Sequence, residues 1–313
     1  MNDYHVPVMV AEVLEYLEPA RGGTFVDATV GGGGHAEALL EHGPGLHLVG
    51  LDRDGDAIAA SRRRLARFGS RVTLVQSDYR RLGEVLEQLG ICGLAGVLLD
   101  LGVSSHQLDT PERGFSYQHQ APLDMRMDPS QPLTAAGLVN SASEQELASI
   151  IGTLGEERWA RRIARFLVAR REVAPLETTQ DLVEVIKAAI PAAARREGLH
   201  PARRTFQALR IAVNRELEGL DRALEGAIDA LVPGGRICVL AFHSLEDRAV
   251  KTVFRKRAGA CSCPPGLPVC ACGARRDLTI LTPRARQARH EEVAANPRAR
   301  SVRLRAAEKS TGF

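Results

Sequence analysis

The chain has 313 residues, of which 44% are hydrophobic and 25% charged, as in an ordinary globular protein of one large domain or two smaller ones. No apolar run approaches the roughly 18 residues of a membrane span, and the first residues do not resemble a secretory signal, so we expect a cytoplasmic protein with no membrane contact. The net charge is +3, but residues 248–305 have a balance of +11, which is compatible with a polyanionic partner.

The first hundred residues alternate between strand and helix patterns. Residues 24–28 are β-branched and apolar, which suits a buried strand, and residues 36–41 suit a helix. Further strands are predicted at 47–52, 72–78 and 94–100, with helices at 56–68 and 82–90. These repeated strand–helix units predict an α/β fold with a parallel, doubly wound, Rossmann-like sheet.

The pattern changes at residue 106. Residues 106–205 contain no convincing strand, but they carry helix-start signals such as Ser143 followed by Glu146. We therefore predict an all-helical insertion that recognises the substrate. The α/β core is expected to occupy 1–105 before the insertion and 206–313 after it. Its second part is predicted to contain one long helix over 206–231, strands at 233–244, 278–281 and 301–307, and the basic C-terminal segment.

Four consecutive glycines, residues 31–34, lie between the first strand and the first helix. A single glycine suffices for a tight turn, whereas four cost folding entropy without adding packing. The segment from Gly31 to Ala36 also fits G-x-G-x-x-A, but that pattern alone is weak evidence for a dinucleotide. We interpret the loop as a ligand-binding loop at a helix N-terminus.

Polar side chains end the first three strands: Asp27, Asp52, and the pair Asp78 and Tyr79. Open α/β sheets bind ligands at the carboxyl ends of their strands. An acid beside the glycine loop repels a pyrophosphate but can pair with the ammonium group of a methionine moiety, and Asp52 can hold ribose hydroxyls. This layout is typical of enzymes that use S-adenosylmethionine, although any one of these acids taken alone is an ordinary solvated strand end.

Longer motifs point to one family. The segments FVDATVGGGGH, LLDLGVSSHQLDTPERGFSY, HPARRTFQALRIAVNREL and PGGRICVLAFHSLEDRAVK closely resemble ribosomal RNA small subunit methyltransferase H, the 16S rRNA cytidine N4-methyltransferase family. The resemblance extends from about His5 to Glu308. It implies S-adenosylmethionine as cofactor and, as partner, a cytidine in the decoding region of 16S rRNA within the small ribosomal subunit. The cofactor contacts that it implies are Gly33, Gly34, His35, Asp52, Tyr79, Asp100 and Gln107. The family often has Phe at the position of Tyr79, and both rings can stack on adenine.

The chemistry requires an acceptor near the exocyclic amine. The lone pair of cytosine N4 is delocalised into the ring, so methylation needs alignment and an oxygen that accepts an N–H. Asp100, at the end of the fourth strand, is our main catalytic candidate, with Ser104 and Ser105 as further acceptors or, equally, as turn caps. Extra candidates for base stacking, phosphate contact or a direct role are Phe115, Tyr117, Trp159, Arg126 and His243. The alternatives are a core position for the three aromatic residues, a loop ion pair for Arg126 and a loop-organising role for His243.

The six cysteines form two groups. Cys92 and Cys238 lie in apolar runs and are predicted to be core residues. Cys261, Cys263, Cys270 and Cys272 form a cluster that suggests either a structural zinc site or a reduced, proline-stiffened loop.

Two other classes of function remain open at this point. One is a nicotinamide-dependent oxidoreductase, and the other is a non-enzymatic RNA-binding assembly factor with a vestigial cofactor site. The sequence does not indicate an oligomeric state.

Overall fold

The structure is a computed structural model that describes residues 7–195, 200–260, 263 and 275–311. The chain divides into two compact units, one formed by residues 1–102 and 218–313 and the other by residues 103–217. Among the described residues, no helix has both the length and the apolar character needed to cross a membrane.

The first unit is built on a seven-stranded sheet in the order β3-β2-β1-β4-β5-β7-β6. The first five strands run parallel, whereas β7 runs antiparallel to both β5 and β6. The α/β class is therefore confirmed, but the sheet is mixed at one end rather than fully parallel. The strands are β1 Gly23–Asp27, β2 Leu46–Asp52, β3 Val72–Gln76, β4 Leu94–Asp100, β5 Leu231–Ala241, β6 Leu278–Ile280 and β7 Arg303–Lys309.

Helices of this unit cover the sheet. They are α1 Val10–Leu17, α2 Gly34–His42, α3 Gly55–Leu65, α4 Leu82–Gln88, α12 Leu220–Ala230, α13 Ser244–Arg257 and α14 His290–Ala295, with numbers that follow the whole chain. Buried strand residues such as Leu98, Cys238 and Leu240 pack in one core with α1 and α2. Cys238 is thus a core residue as predicted, but the prediction for Cys92 is wrong, because this residue is exposed in the loop before β4.

The described part of the second unit, residues 103–195 and 200–217, consists of helices, turns and one isolated bridge between Pro122 and Thr178. The helices are α5 Ser105–Asp109, α6 Ala135–Ser141, α7 Glu144–Gly155, α8 Ala160–Val173, α9 Thr179–Ala189, α10 Ala192–Arg195 and α11 Arg203–Asn214. The predicted start signal is present in α7, where Ser143 and Glu146 cap each other's backbone. Apolar faces of these helices form a separate core around Leu147, Ile163 and Leu209.

The single long helix predicted over 206–231 is wrong. The chain forms α11 and α12 instead, because Arg215 takes a left-handed conformation with φ 51° and Gly219 does so with φ 73°. A residue in the left-handed conformation commonly ends a helix. The helical apolar pattern continues across this break, which is why the sequence predicted one helix where the chain forms two. The two compact units meet in sequence at this break, between Leu217 and Glu218.

Candidate functional site

The glycine loop connects β1 to α2 at the carboxyl edge of the parallel strands. Gly31 and Gly33 have positive φ values of 51° and 80°, which favour glycine. A Cβ on Gly33 would lie 3.2 Å from Ser61 Oγ, and one on Gly34 would lie 2.8 Å from Pro7 Cγ. At Gly34 the close approach of Pro7 therefore excludes a side chain, and at Gly33 the positive φ and the neighbouring Ser61 together disfavour one. The ligand-binding role of the loop stays a prediction.

Asp52 ends β2 and holds the glycine loop. Its Oδ2 accepts a hydrogen bond from the Gly31 amide at 2.9 Å, and its Oδ1 accepts one from the Asp54 amide at 2.9 Å. Removal from water raises the pKa of Asp52 to about 6, against the lowering effect of these two amides. Because each carboxylate oxygen can accept more than one hydrogen bond, Asp52 retains capacity for further donors.

Asp27 ends β1 and is 1% exposed. Its Oδ1 accepts a hydrogen bond from the Thr29 amide at 3.2 Å. Burial is the main reason that the pKa of Asp27 rises to about 7, and the negative charge of Asp52 raises it further. Asp27 and Asp52 are therefore close enough to repel each other when both are ionised.

Asp100 ends β4 and faces His35 on the first turn of α2. The His35 Nδ1 atom lies 3.5 Å from Asp100 Oδ2, and His35 Nε2 lies 2.8 Å from the carbonyl oxygen of Val8. A carbonyl can only accept, so we assign the imidazole proton to Nε2, which leaves the lone pair of Nδ1 toward Asp100. Burial lowers the pKa of His35 to about 4. Burial, followed by the charges of Asp27 and Glu246, raises the pKa of Asp100 well above its ordinary value.

Asp78 follows β3 and is paired within its own loop. It forms a two-pronged ion pair with Arg80, with distances of 2.8 Å to Nε and 2.6 Å to Nη2, and it caps the short 3₁₀ turn that begins at Tyr79. Burial raises the pKa of Asp78, but the hydrogen bonds from Arg80 outweigh this effect and the pKa is lowered. Tyr79 is half-buried beside it.

The remaining predicted contacts lie in the second unit, at the start of α5. Ser104 Oγ accepts from the Gln107 amide at 3.2 Å, and Gln107 Oε1 accepts from the Ser104 amide at 3.1 Å. Ser104 therefore has the capping role that we considered as its alternative. Ser105 and Gln107 are buried. No observation tests their predicted roles.

The other candidates of the second unit are in contact with the helical core or with their own loop. Phe115 is 6% exposed and belongs to the helical core. Tyr117 stacks on His200 with a ring-centroid distance of 4.5 Å, and Trp159 is half-buried against the same core. The Arg126 guanidinium bonds Asp124 and nearby backbone carbonyls, as expected for an ion pair within a loop.

Glu246 is a site residue that the sequence reasoning did not single out. It is 2% exposed, and its Oε2 accepts from the amides of Phe242 at 2.8 Å and His243 at 3.3 Å. His243 in turn caps α13. The signal was available as His243 followed three residues later by Glu246, which is the spacing of a capping box. Glu246 adds negative charge near Asp100.

The zinc prediction is not tested. Cys261, Cys270 and Cys272 lie outside the described residues, and Cys263 is described as half-buried.

Comparison with known proteins identifies relatives over the full length. The sequence model of the MraW methylase family matches residues 2–310. The chain is 58% identical over 310 residues to the ribosomal RNA small subunit methyltransferase H of Geobacter sulfurreducens, covering 99% of this chain and all of that protein. It is 56% identical over 308 residues to the protein of that name from Heliobacterium modesticaldum, covering 98% of each.

Among solved structures, the chain is similar to a putative methyltransferase from Streptococcus mutans in complex with SAH. That similarity has a TM-score of 0.43 and 10% identity, and it covers 97% of this chain and 99% of the other. The resemblance that the sequence motifs indicated is confirmed by the family model and by the relatives' sequences: the chain belongs to the MraW methylase family.

Proposed function

We propose that this protein transfers a methyl group from S-adenosylmethionine to N4 of a cytidine in the decoding region of 16S rRNA, within the small ribosomal subunit. The observation that carries the proposal is the convergence of Asp27, Asp52 and Asp100 at the carboxyl ends of β1, β2 and β4, next to the glycine loop. Membership of a methylase family supports methyl transfer, and the relatives' names support rRNA of the small subunit as substrate. The choice of cytidine N4 rests on the motif resemblance.

The donor set fits a cationic cofactor. Asp27 and Asp52 repel each other, and Asp27 also raises the pKa of Asp100, so this edge of the sheet carries closely spaced acids. S-adenosylmethionine carries a positively charged ammonium group and supplies an electrophilic methyl group when it is bound. A nearby positive charge favours ionised carboxylates. We assign the ammonium to Asp27 and the ribose hydroxyls to Asp52. We also assign Gly33, Gly34, His35, Asp78, Tyr79 and Gln107 to the rest of the cofactor site.

We assign Asp100 as the group that accepts the proton released from N4 during methyl transfer. When N4 forms a bond to the methyl carbon, the nitrogen must lose one of its protons to become the neutral methylated amine. The Asp100 carboxylate can accept that N–H, first as a hydrogen bond and then as a proton. The lone pair of His35 Nδ1 lies 3.5 Å from Asp100 Oδ2 and can accept a hydrogen bond only from the protonated carboxyl group, so it favours the form of Asp100 that has taken up the N4 proton.

Neither alternative class has a specific observation in its favour. Membership of a methylase family argues against a nicotinamide-dependent oxidoreductase. The sheet also differs from the 3-2-1-4-5-6 order of dinucleotide-binding folds, because antiparallel β7 lies between β5 and β6. A non-enzymatic assembly factor is distinguished by the experiment below.

The test is methylation of small subunits from a strain that lacks this modification. Purified protein is incubated with S-adenosylmethionine carrying a labelled methyl group, and nucleosides from the 16S rRNA are analysed by mass spectrometry. We expect label in N4-methylcytidine from one position of the decoding region. Label on another atom would overturn the N4 assignment, and binding of subunits without any label would favour an assembly factor.

A further inference from the structure

A second concave feature lies in the first unit, away from the glycine loop. It is a groove of about 660 Å³ between α1 and the segment 281–289. Tyr16 and Glu15 contribute from α1, and Arg284, Arg286 and Gln287 contribute from the opposite wall. The volume lies in the range of small-ligand and nucleotide sites, and no step of the proposed reaction uses this groove.

The segment that forms the second wall is held by backbone pairing. Arg286 and Leu304 exchange both amide-to-carbonyl hydrogen bonds, each at 2.9 Å. The Ala306 amide donates to Thr282 Oγ1 at 2.9 Å on the same segment. These bonds fix the backbone from which the arginine side chains extend, so the groove does not depend on an unsupported loop.

Strand register connects the groove to the reaction site. Asp100 on β4 pairs with Leu240 on β5, Leu240 pairs with Leu304 on β7, and Leu304 pairs with Arg286. Directly paired residues project from the same face of a sheet, and strands are spaced at about 4.8 Å. Arg286 is therefore roughly 14 Å from Asp100 along one row, since three strand spacings separate them. Leu240 and Leu304, which lie between them, are buried, so a strand that joins the two sites must cross the surface above them. At 3.4 Å per stacked nucleotide, it needs at least about four nucleotides.

The charges of the groove favour an anion on the wall of segment 281–289. Arg284 and Arg286 are exposed, and neither has a carboxylate within ion-pair distance among the described residues. Arg289 differs from them, because its Nε lies 3.0 Å from Glu12 and the two charges offset each other. Glu15 is the remaining acid of the lining.

We propose that this groove binds the phosphate backbone of the rRNA strand that flanks the target cytidine, through Arg284 and Arg286. The inference rests on the proposed function, because it takes the strand leading to the Asp100 site as its ligand. RNA is favoured over a protein partner because two arginines spaced two residues apart on a fixed backbone match successive phosphates, which guanidinium groups bind through paired hydrogen bonds. Tyr16 can stack on a base of the same strand.

The experiment compares the doubly substituted Arg284→Gln/Arg286→Gln protein with the wild type on unmethylated small subunits. We expect the KM for subunits to rise at least tenfold, with kcat and the Kd for S-adenosylmethionine unchanged. The slope of log affinity against log salt should become shallower by about 1 to 2, because each lost phosphate contact removes roughly 0.7 to 0.9 of slope. Arg284→Lys/Arg286→Lys keeps the charges and should restore most of the slope.

Two further variants sharpen the test. Arg222→Gln/Arg255→Gln removes the same charge from exposed positions on α12 and α13 that do not line the groove, and it should leave KM and slope near the wild-type values. Glu15→Gln removes a negative charge opposite the arginines and should tighten subunit binding.

Several outcomes would contradict RNA binding by the groove and leave the proposed function intact. In the first, the wild type methylates subunits, but the Arg284→Gln/Arg286→Gln protein keeps the wild-type KM and salt slope. A second is loss of subunit binding with unchanged affinity for a short RNA spanning the target cytidine, which would indicate a protein partner. If the Arg222→Gln/Arg255→Gln control loses as much subunit affinity, the effect comes from the overall charge of the protein and not from the groove. If the wild type does not methylate, the proposed function fails, and binding of the short RNA still tests the groove.

Discussion

At the level of single residues, a substitution of Asp100 distinguishes two roles for this side chain: accepting the N4 proton, or only binding the cofactor. Asp100→Asn keeps the shape and one acceptor oxygen but removes the ability to take a proton. If Asp100 accepts the N4 proton, single-turnover methylation at saturating S-adenosylmethionine should slow by about 10²-fold or more. Cofactor affinity, measured separately by calorimetry, should fall much less. Full recovery of the rate at saturating cofactor would instead make Asp100 a binding residue.

A substitution of Asp52 tests the assignment of the cofactor site. Its carboxylate already bonds the Gly31 and Asp54 amides, and we assign its remaining acceptor capacity to ribose hydroxyls. Asp52→Ala should weaken binding of S-adenosylmethionine by about 1–3 kcal/mol, because buried hydroxyls lose a charged acceptor. Asp56→Ala, at an exposed position on the next helix, is the matched control. Unchanged affinity in a folded Asp52→Ala protein would remove this residue from the site.

At the scale of elements, the break between α11 and α12 depends on backbone conformation at the start of α12. Gly219 has φ 73°, and a Cβ there would meet Arg80 Cδ at an ordinary 3.6 Å, so strain rather than collision opposes a side chain. Gly219→Ala should lower the free energy of unfolding by about 1–2 kcal/mol. Gly226→Ala lies in the same helix in open space and should raise it by up to about 1 kcal/mol. Denaturant titration of both proteins checks the pair, and equal effects would contradict the argument.

At the scale of the whole molecule, the buried acids make stability depend on pH. The folded pKa of Asp27 is about 7, above the ordinary 3.8, so the folded protein binds this proton more tightly than the unfolded chain. The associated stability is fully present below about pH 3.8 and is lost as pH rises to about 7. Asp52 acts in the same direction up to about pH 6. His35 acts in the opposite direction, because its pKa falls from 6.5 to about 4 and stability rises with pH over that range.

The contribution of Asp27 can be isolated as a difference between two proteins. We expect the free energy of unfolding of Asp27→Asn minus that of the wild type to increase steadily between pH 4 and 7 in the absence of cofactor, because only the wild type loses the stability linked to the Asp27 proton. Urea titrations at a series of pH values measure this difference. Saturating S-adenosylmethionine should reduce the loss in the wild type, because its ammonium stabilises ionised Asp27. A difference that does not change with pH would mean that Asp27 keeps an ordinary pKa.

Local patterns and motifs in the sequence are enough to predict the parallel core, the strand-end acids and the family. Strands β1, β2 and β4 are each a short, largely apolar run that ends in an aspartate, and this local pattern predicts both the strand and the position of its acid. Asp27, Asp52 and Asp100 could therefore be assigned to one sheet edge before the structure was known. The family followed from long ordered motifs, which need no tertiary information.

Other features depend on contacts between residues that are far apart in the chain, and they become visible only in the folded structure. Strand β7 enters the sheet between β5 and β6 through hydrogen bonds that no local pattern encodes. The packing of Pro7 on Gly34 and the position of Glu246 near Asp100 depend on long-range packing in the same way. The groove beside Arg286 lies between α1 and segment 281–289, which are far apart in the chain. Local periodicity specifies which elements form, whereas long-range pairing and packing specify which side chains meet.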